Sequence, residues 1–183
     1  NTIFGLISMV PTEPNLAAYI NTIELAGVPT IVETARSADM LNNTQHQLAY
    51  AGFKFTDLEP NLSLDFKPSA SGREVALQHG VMAVAGQNKG QVLLSLFAHI
   101  KALYPNYTAP KAVLFVDDTN QNDIDVLTAL KAKAIRVYTF TDNHMQPWVS
   151  LFANNRLKRQ ASRRWDRLQH HIQRIIAHSL IGG

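Results

Sequence analysis

Apolar and polar positions follow two rhythms along the chain, and the changes between them mark out its elements. An apolar segment from Ile3 to Val10 is interrupted by Gly5 and Ser8 and stopped by Pro11 and Pro14, so its state stays open. Leu16, Tyr19, Ile20, Ile23 and Leu25 recur at helical spacing, predicting a helix over 15–26 that Gly27 ends. Residues 29–32 read as a short strand leading into Glu33, Thr34 and Arg36, with a helix expected from Ser37. No rhythm persists over 53–73, where Pro60, Pro68 and Gly72 predict loop with short strands and a hairpin near 62–66. Residues 80–85 read as a buried strand, and the turn 86–90 passes into a helix carrying Val92, Leu93, Leu96, Ile100 and Leu103.

The clearest unit is 111–140. Val113 to Val116 is an unbroken apolar run, the pattern of a strand covered on both faces, and it stops at Asp117 and Asp118. Asn120 and Asn122 keep the next stretch polar before a helical stripe of Ile124, Val126, Leu127 and Leu130. Ile135, Val137, Tyr138 and Phe140 then supply a second strand. The fold class expected is α/β, a parallel sheet sandwiched by helices.

Composition narrows the setting. A chain of 183 residues with 46% hydrophobic content can bury a substantial core. We expect an α/β domain over 1–150, incomplete at its N-terminus and with a small insert at 53–79, followed by a basic amphipathic helical segment over 151–183. No apolar run approaches the roughly 18 residues of a membrane span, and Asn1 opens without an initiating Met or signal peptide, which places the native start upstream. A soluble protein, cytoplasmic or secreted, is expected. The absence of cysteine excludes disulfides and thiolate metal sites.

A net charge of +3 does not by itself imply nucleic acid, although Arg156, Lys158, Arg159, Arg163, Arg164, Arg167 and Arg174 crowd together against Asp166 alone. The apolar stripe through that segment, from Leu157 to Leu180, favours docking on the body or a partner over a membrane. His170, His171 and His178 have no carboxylates nearby in sequence and read as solvated or packed. The N-x-[ST] triplets at Asn42, Asn61 and Asn106 carry no weight without a secretory context.

Candidate chemistry collects at strand ends. Thr34 and the helix expected from Ser37 could present a hydroxyl and N–H groups to an anion, or they could be an ordinary strand threonine and an N-cap. Lys89 opens a helix, where the backbone dipole disfavours a cation; an anionic partner would account for it, as would simple solvation. Adjacent carboxylates at Asp117 and Asp118 suit a hard cation such as Mg²⁺ at the edge where open α/β sheets bind ligands.

The order Thr34, Lys89, Asp117-Asp118 and Asn122 resembles the haloacid dehalogenase superfamily of phosphohydrolases, and in particular an uncharacterised bacterial branch of it. The likeness runs from Pro29 to Phe140. It implies Thr34 bonding the transferring phosphoryl group, Lys89 offsetting charge, and Arg36 binding substrate. It implies Mg²⁺ on Asp118, with Asp117 as a second or outer carboxylate, and Asn122 or Asp123 in support. The substrate implied is a phosphorylated small molecule or phosphoprotein. The D-x-D-x-[TV] strand that supplies that family's nucleophile is not found. Asp123-Ile124-Asp125 opens a helix, and Asp57-Leu58-Glu59 follows a stretch too short and polar for a buried strand. The resemblance thus implies a missing N-terminal segment carrying the central strand, and a chain inactive by itself. Receiver domains use similar residues in the reverse order. Two other classes stand beside the phosphatase: an inactive binding module of the same fold, and a basic polyanion binder using Arg156 to Arg174.

Overall fold

A computed structural model describes residues 15–55, 58 and 62–142. The chain divides into two compact units, Asn1–Thr141 and Asp142–Gly183, and all the described residues except Asp142 fall in the first. The basic C-terminal segment and the N-terminal apolar run, both singled out in the sequence, lie outside them.

The elements run α1 (Leu16–Leu25), β1 (Val32–Thr34), a 3-10 turn (Ala38–Met40), α2 (Leu41–Tyr50), β2 (Ser63–Phe66), β3 (Val75–Gln78), β4 (Val81–Ala83), α3 (Lys89–Leu103), β5 (Ala112–Asp117), α4 (Asn120–Lys131) and β6 (Arg136–Thr141). The architecture is mixed α/β. It differs from a single parallel sheet, because the strands form a four-stranded sheet in the order β1-β4-β3-β2 and a two-stranded sheet β5-β6. Only β1 with β4 and β5 with β6 pair in parallel; β2, β3 and β4 form an antiparallel meander. The cause is local. His79 and Gly80 both take positive φ and make a two-residue turn between β3 and β4, a connection that only antiparallel neighbours can share. The hairpin placed near 62–66 is instead one strand, β2, paired across a longer loop with β3, which the sequence rhythm did not reveal.

Alternation along these strands builds two cores. Ala76, Val81 and Ala83 pack with Leu41 and Leu48 of α2. Val75, Leu77 and Met82 face the other way, with Val84 just beyond β4, and join Val92, Leu93, Leu96 and Ile100 of α3 and Val126 and Leu130 of α4. Every residue of β4 is buried, which accounts for its uninterrupted apolar run.

The second sheet departs from expectation. Phe115 is buried, but Leu114 is 69% exposed and Val116 57%, so the run 113–116 is not covered on both faces. Their register partners Tyr138 and Phe140 are exposed too, which leaves one side of β5-β6 as a bare apolar face. The helices α3 and α4 cover the other side. Their separation is set by Gly90, where a Cβ would stand 2.8 Å from Ala129 Cβ and from the Asp125 carbonyl carbon. Glycine in a helix normally costs about 0.5–1 kcal/mol relative to alanine, but here backbone meets backbone and the clash dominates. Gly90→Ala should therefore destabilise the fold by about 1–3 kcal/mol, read as a lower urea midpoint with unchanged slope.

Candidate functional site

Lys89 stands in the first turn of α3, and the chain takes care over how it arrives there. After β4, Ala85 and Gly86 both adopt positive φ and turn the backbone sharply. The Gln87 side chain accepts from the Arg73 N–H at 2.8 Å and donates to the Arg73 and Val84 carbonyls, while Arg73 Nη1 donates to the Ala85 carbonyl at 2.9 Å. Asn88 caps the helix by accepting from the Gln91 N–H at 3.0 Å. Lys89 is then 8% exposed, and its Nζ has two partners: the Glu33 carbonyl of β1 at 3.1 Å and Asp117 Oδ2 of β5 at 2.6 Å. The Phe115 ring lies beneath it, 5.7 Å from the ammonium to the centroid.

Asp117 is the best satisfied acid of the site. Its Oδ1 accepts from the Thr119 N–H at 2.8 Å and the Asn122 side chain at 2.9 Å. Burial by itself would raise this carboxyl. Hydrogen bonds from Lys89 and Asn122, the Lys89 charge and the Thr119 N–H outweigh it and hold the group below its ordinary 3.8. Asp118, the next residue, points out and is exposed, with the Thr119 hydroxyl at 3.2 Å. Asp123 is buried in the opening of α4, where Oδ2 accepts from the Thr141 hydroxyl and ties α4 to the end of β6.

The residue that sequence reasoning missed is Glu33. Its register partner is Met82, so alternation turns its side chain toward the face of the sheet that α3 covers, while Thr34 shares the α2 face with Val32. Glu33 as a whole is partly exposed, yet both carboxylate oxygens are buried and neither has a hydrogen-bond partner among the described residues. Burial pushes its pKa from 4.5 up to about 8; Lys89 opposes the rise and Asp117 adds to it. At neutral pH the cluster thus carries a neutral carboxylic acid beside an ion pair. The signal was visible: a lone Glu inside the strand Ile31-Val32-Glu33-Thr34 is costly unless its environment suits it.

The other sequence candidates have definite places. Lys89, Asp117 and Asn122 come together. Thr34 lies on the opposite face of β1, where its hydroxyl receives the Arg36 N–H at 3.4 Å. The Arg36 guanidinium is turned to α2 and donates to Thr44 at 2.9 Å and Gln47 at 2.7 Å. Ser37 precedes a 3-10 turn rather than a regular helix, and its hydroxyl donates to Asp39. Among the described residues no three His, Cys, Asp or Glu side chains form a metal-binding group, and no helix is long and apolar enough to cross a membrane.

The fold and site define a mixed α/β domain with a buried Lys–Asp pair at the C-terminal ends of β1 and β5. The chain matches over residues 1–177 the family DUF2608, described as a protein of unknown function, and it belongs to that family. That match corrects the resemblance to the haloacid dehalogenase superfamily, since it is this family and not a haloacid dehalogenase one that spans the chain. No curated protein and no solved structure matches it.

Two predictions follow from the charges. In the unfolded chain Glu33 ionises near 4.5, whereas the folded protein holds its proton to about 8, so its contribution to stability is complete below pH 4.5 and is lost as pH rises to 8. Asp117 acts oppositely; its contribution is present above 3.8 and is lost as pH falls below that value. Glu33→Gln is expected to raise the melting temperature at pH 8 and flatten the decline between pH 5 and 8, and a variant with the wild-type pH profile would refute this assignment. Lys89→Met leaves Asp117 and Glu33 without their cation and should cost about 3–5 kcal/mol in urea titrations.

Proposed function

We propose that the cluster at the ends of β1 and β5 handles a phosphoryl group, as part of a Mg²⁺-dependent phosphohydrolase acting on a phosphorylated small molecule or phosphoprotein. The observation that carries this reading is the placement of Lys89. A buried ammonium at the N-terminus of α3, at the C-terminal edge of parallel strands, supports an anion where helix dipole and charge add. Glu33, neutral at pH 7, adds a carboxylic acid able to donate a proton to a leaving oxygen or to hold one near the anion.

The donor set fits Mg²⁺ in a limited way. Both oxygens of Asp117 are already engaged, which leaves the exposed Asp118 as the carboxylate that would hold the ion, with the remaining positions falling to phosphoryl oxygens and water. When bound, Mg²⁺ would neutralise phosphoryl charge. The chain's own residues orient: Asn122 and the Thr119 N–H fix Asp117, and Asp117 fixes Lys89. Of the carboxylates and hydroxyl at these strand ends, Asp117 is saturated, Asp123 is buried with one oxygen held by Thr141, Thr34 faces α2, and Asp118 is assigned to the ion, so none of them is placed as the phosphoryl acceptor. The same observation favours a second reading, a phosphate-binding module without turnover.

Calorimetric titration of the 183-residue chain with inorganic phosphate, with and without Mg²⁺, tests the site. Saturable binding is expected, strengthened by Mg²⁺, with Asp118→Asn removing the Mg²⁺ effect and Lys89→Arg weakening binding about 10-fold or more. Phosphate binding that is absent, or that is indifferent to both substitutions, would discard the reading.

A further inference from the structure

At the opposite end of β5 and β6 lies a groove that the phosphoryl reading does not use. It has a volume of about 450 Å³, and Leu94 and Phe97 of α3, Pro110, and Ile135 form much of its apolar lining. Leu94 and Phe97 already lean on the main core, so the floor is fixed by packing rather than by loop conformation. Lys111 and Lys133 also line it. Both are exposed, and among the described residues neither ammonium has an ion-pair or hydrogen-bond partner. The Arg136 N–H bonds the Lys111 carbonyl at 3.0 Å and the Lys133 N–H bonds the Leu130 carbonyl at 2.9 Å, which anchors the backbone of Lys111 to the start of β6 and that of Lys133 to the end of α4.

From this combination we infer that the groove binds a free single-chain amphiphile with an anionic head, its apolar chain along Leu94, Phe97 and Ile135 and its carboxylate or phosphate between Lys111 and Lys133. Sites for small ligands typically measure roughly 300–1,000 Å³ with mostly apolar lining and a few polar groups that fix orientation, and this groove, open to solvent along one side, shares that size and lining. The two lysines choose the sign of the head. Among the described residues no carboxylate pairs with either ammonium, so an anionic head would be the counter-charge that both share. The β5 strand separates the groove from Asp117 by about 15–20 Å at the usual rise per residue, so occupation of one site does not require the other.

The probe is dodecanoate below its micelle-forming concentration, titrated calorimetrically into the full chain. One saturable site is expected, with affinity falling about 10-fold or more in Lys111→Ala/Lys133→Ala, and with dodecanol and dodecyltrimethylammonium binding more weakly than dodecanoate. Both lysines are exposed, so the double variant should fold as the parent does, checked by its melting temperature. A second variant, Ala98→Trp, fills the groove from α3 and should abolish binding without changing the phosphate titration. The inference is overturned by an absence of saturable binding, by equal affinity in the double lysine variant, by equal binding of the cationic amphiphile, or by binding to anionic vesicles without binding of dodecanoate.

Discussion

One ammonium group joins the two sheets. Lys89 accepts no alternative partner of its own making: α3 delivers it between the Glu33 carbonyl of β1 and the Asp117 carboxylate of β5, and each of those belongs to a different sheet. A lysine buried in this way loses its hydration and recovers it only through close, well-directed acceptors. That requirement explains the care spent on its approach, from the Ala85-Gly86 turn through the Gln87–Arg73 clasp to the Asn88 cap. It also explains Asn122, whose amide holds the acid that holds the lysine.

The arrangement is not balanced for stability alone. A structure selected only to bury an ion pair would surround it with apolar groups or with hydrogen-bond donors, whereas this one sets beside it the Glu33 carboxyl, which has no hydrogen-bond partner among the described residues. Groups whose protonation is displaced by burial and by a specific neighbouring charge gather where chemistry is done, and the fold keeps this one at the strand-end edge suited to ligands. The destabilising acid, the buried cation and the outward-facing Asp118 are thus best understood together.

Much of this was legible in the residues, and what was not has a physical reason. The start of α3 could be read because Gly86, Asn88 and the stripe from Val92 to Ile100 agree with one another. The acidic strand end was equally plain. The resemblance put the ion on Asp118 and Asp117 behind it, but which of the two meets Lys89 depends on which parity of β5 faces the core, and an unbroken apolar run conceals parity. Phe115 settles it by being buried, which carries Asp117 inward and Asp118 outward. Glu33 is concealed for the same reason in reverse: the hydroxyl at Thr34 is the more obvious polar group of the strand end, but one-residue alternation puts its neighbour on the lysine's side. The antiparallel β2-β3-β4 meander escaped because the strands have only three or four residues each, too few for a rhythm to register.

The separation into two sheets bears on how the molecule breathes. Among the described residues no backbone ladder joins β5-β6 to the larger sheet, so the β5-α4-β6 unit is attached through side chains: Phe115, Val126, Leu130 and Ile135 in the shared core, the packing of α4 against α3 at Gly90, and the Lys89 bridge. A segment secured by contacts rather than by a continuous hydrogen-bond network can come away as a body, with its own opening free energy below that of global unfolding. Its amides would then exchange with solvent together, at a rate set by how firmly the shared core and one buried lysine hold the unit in place.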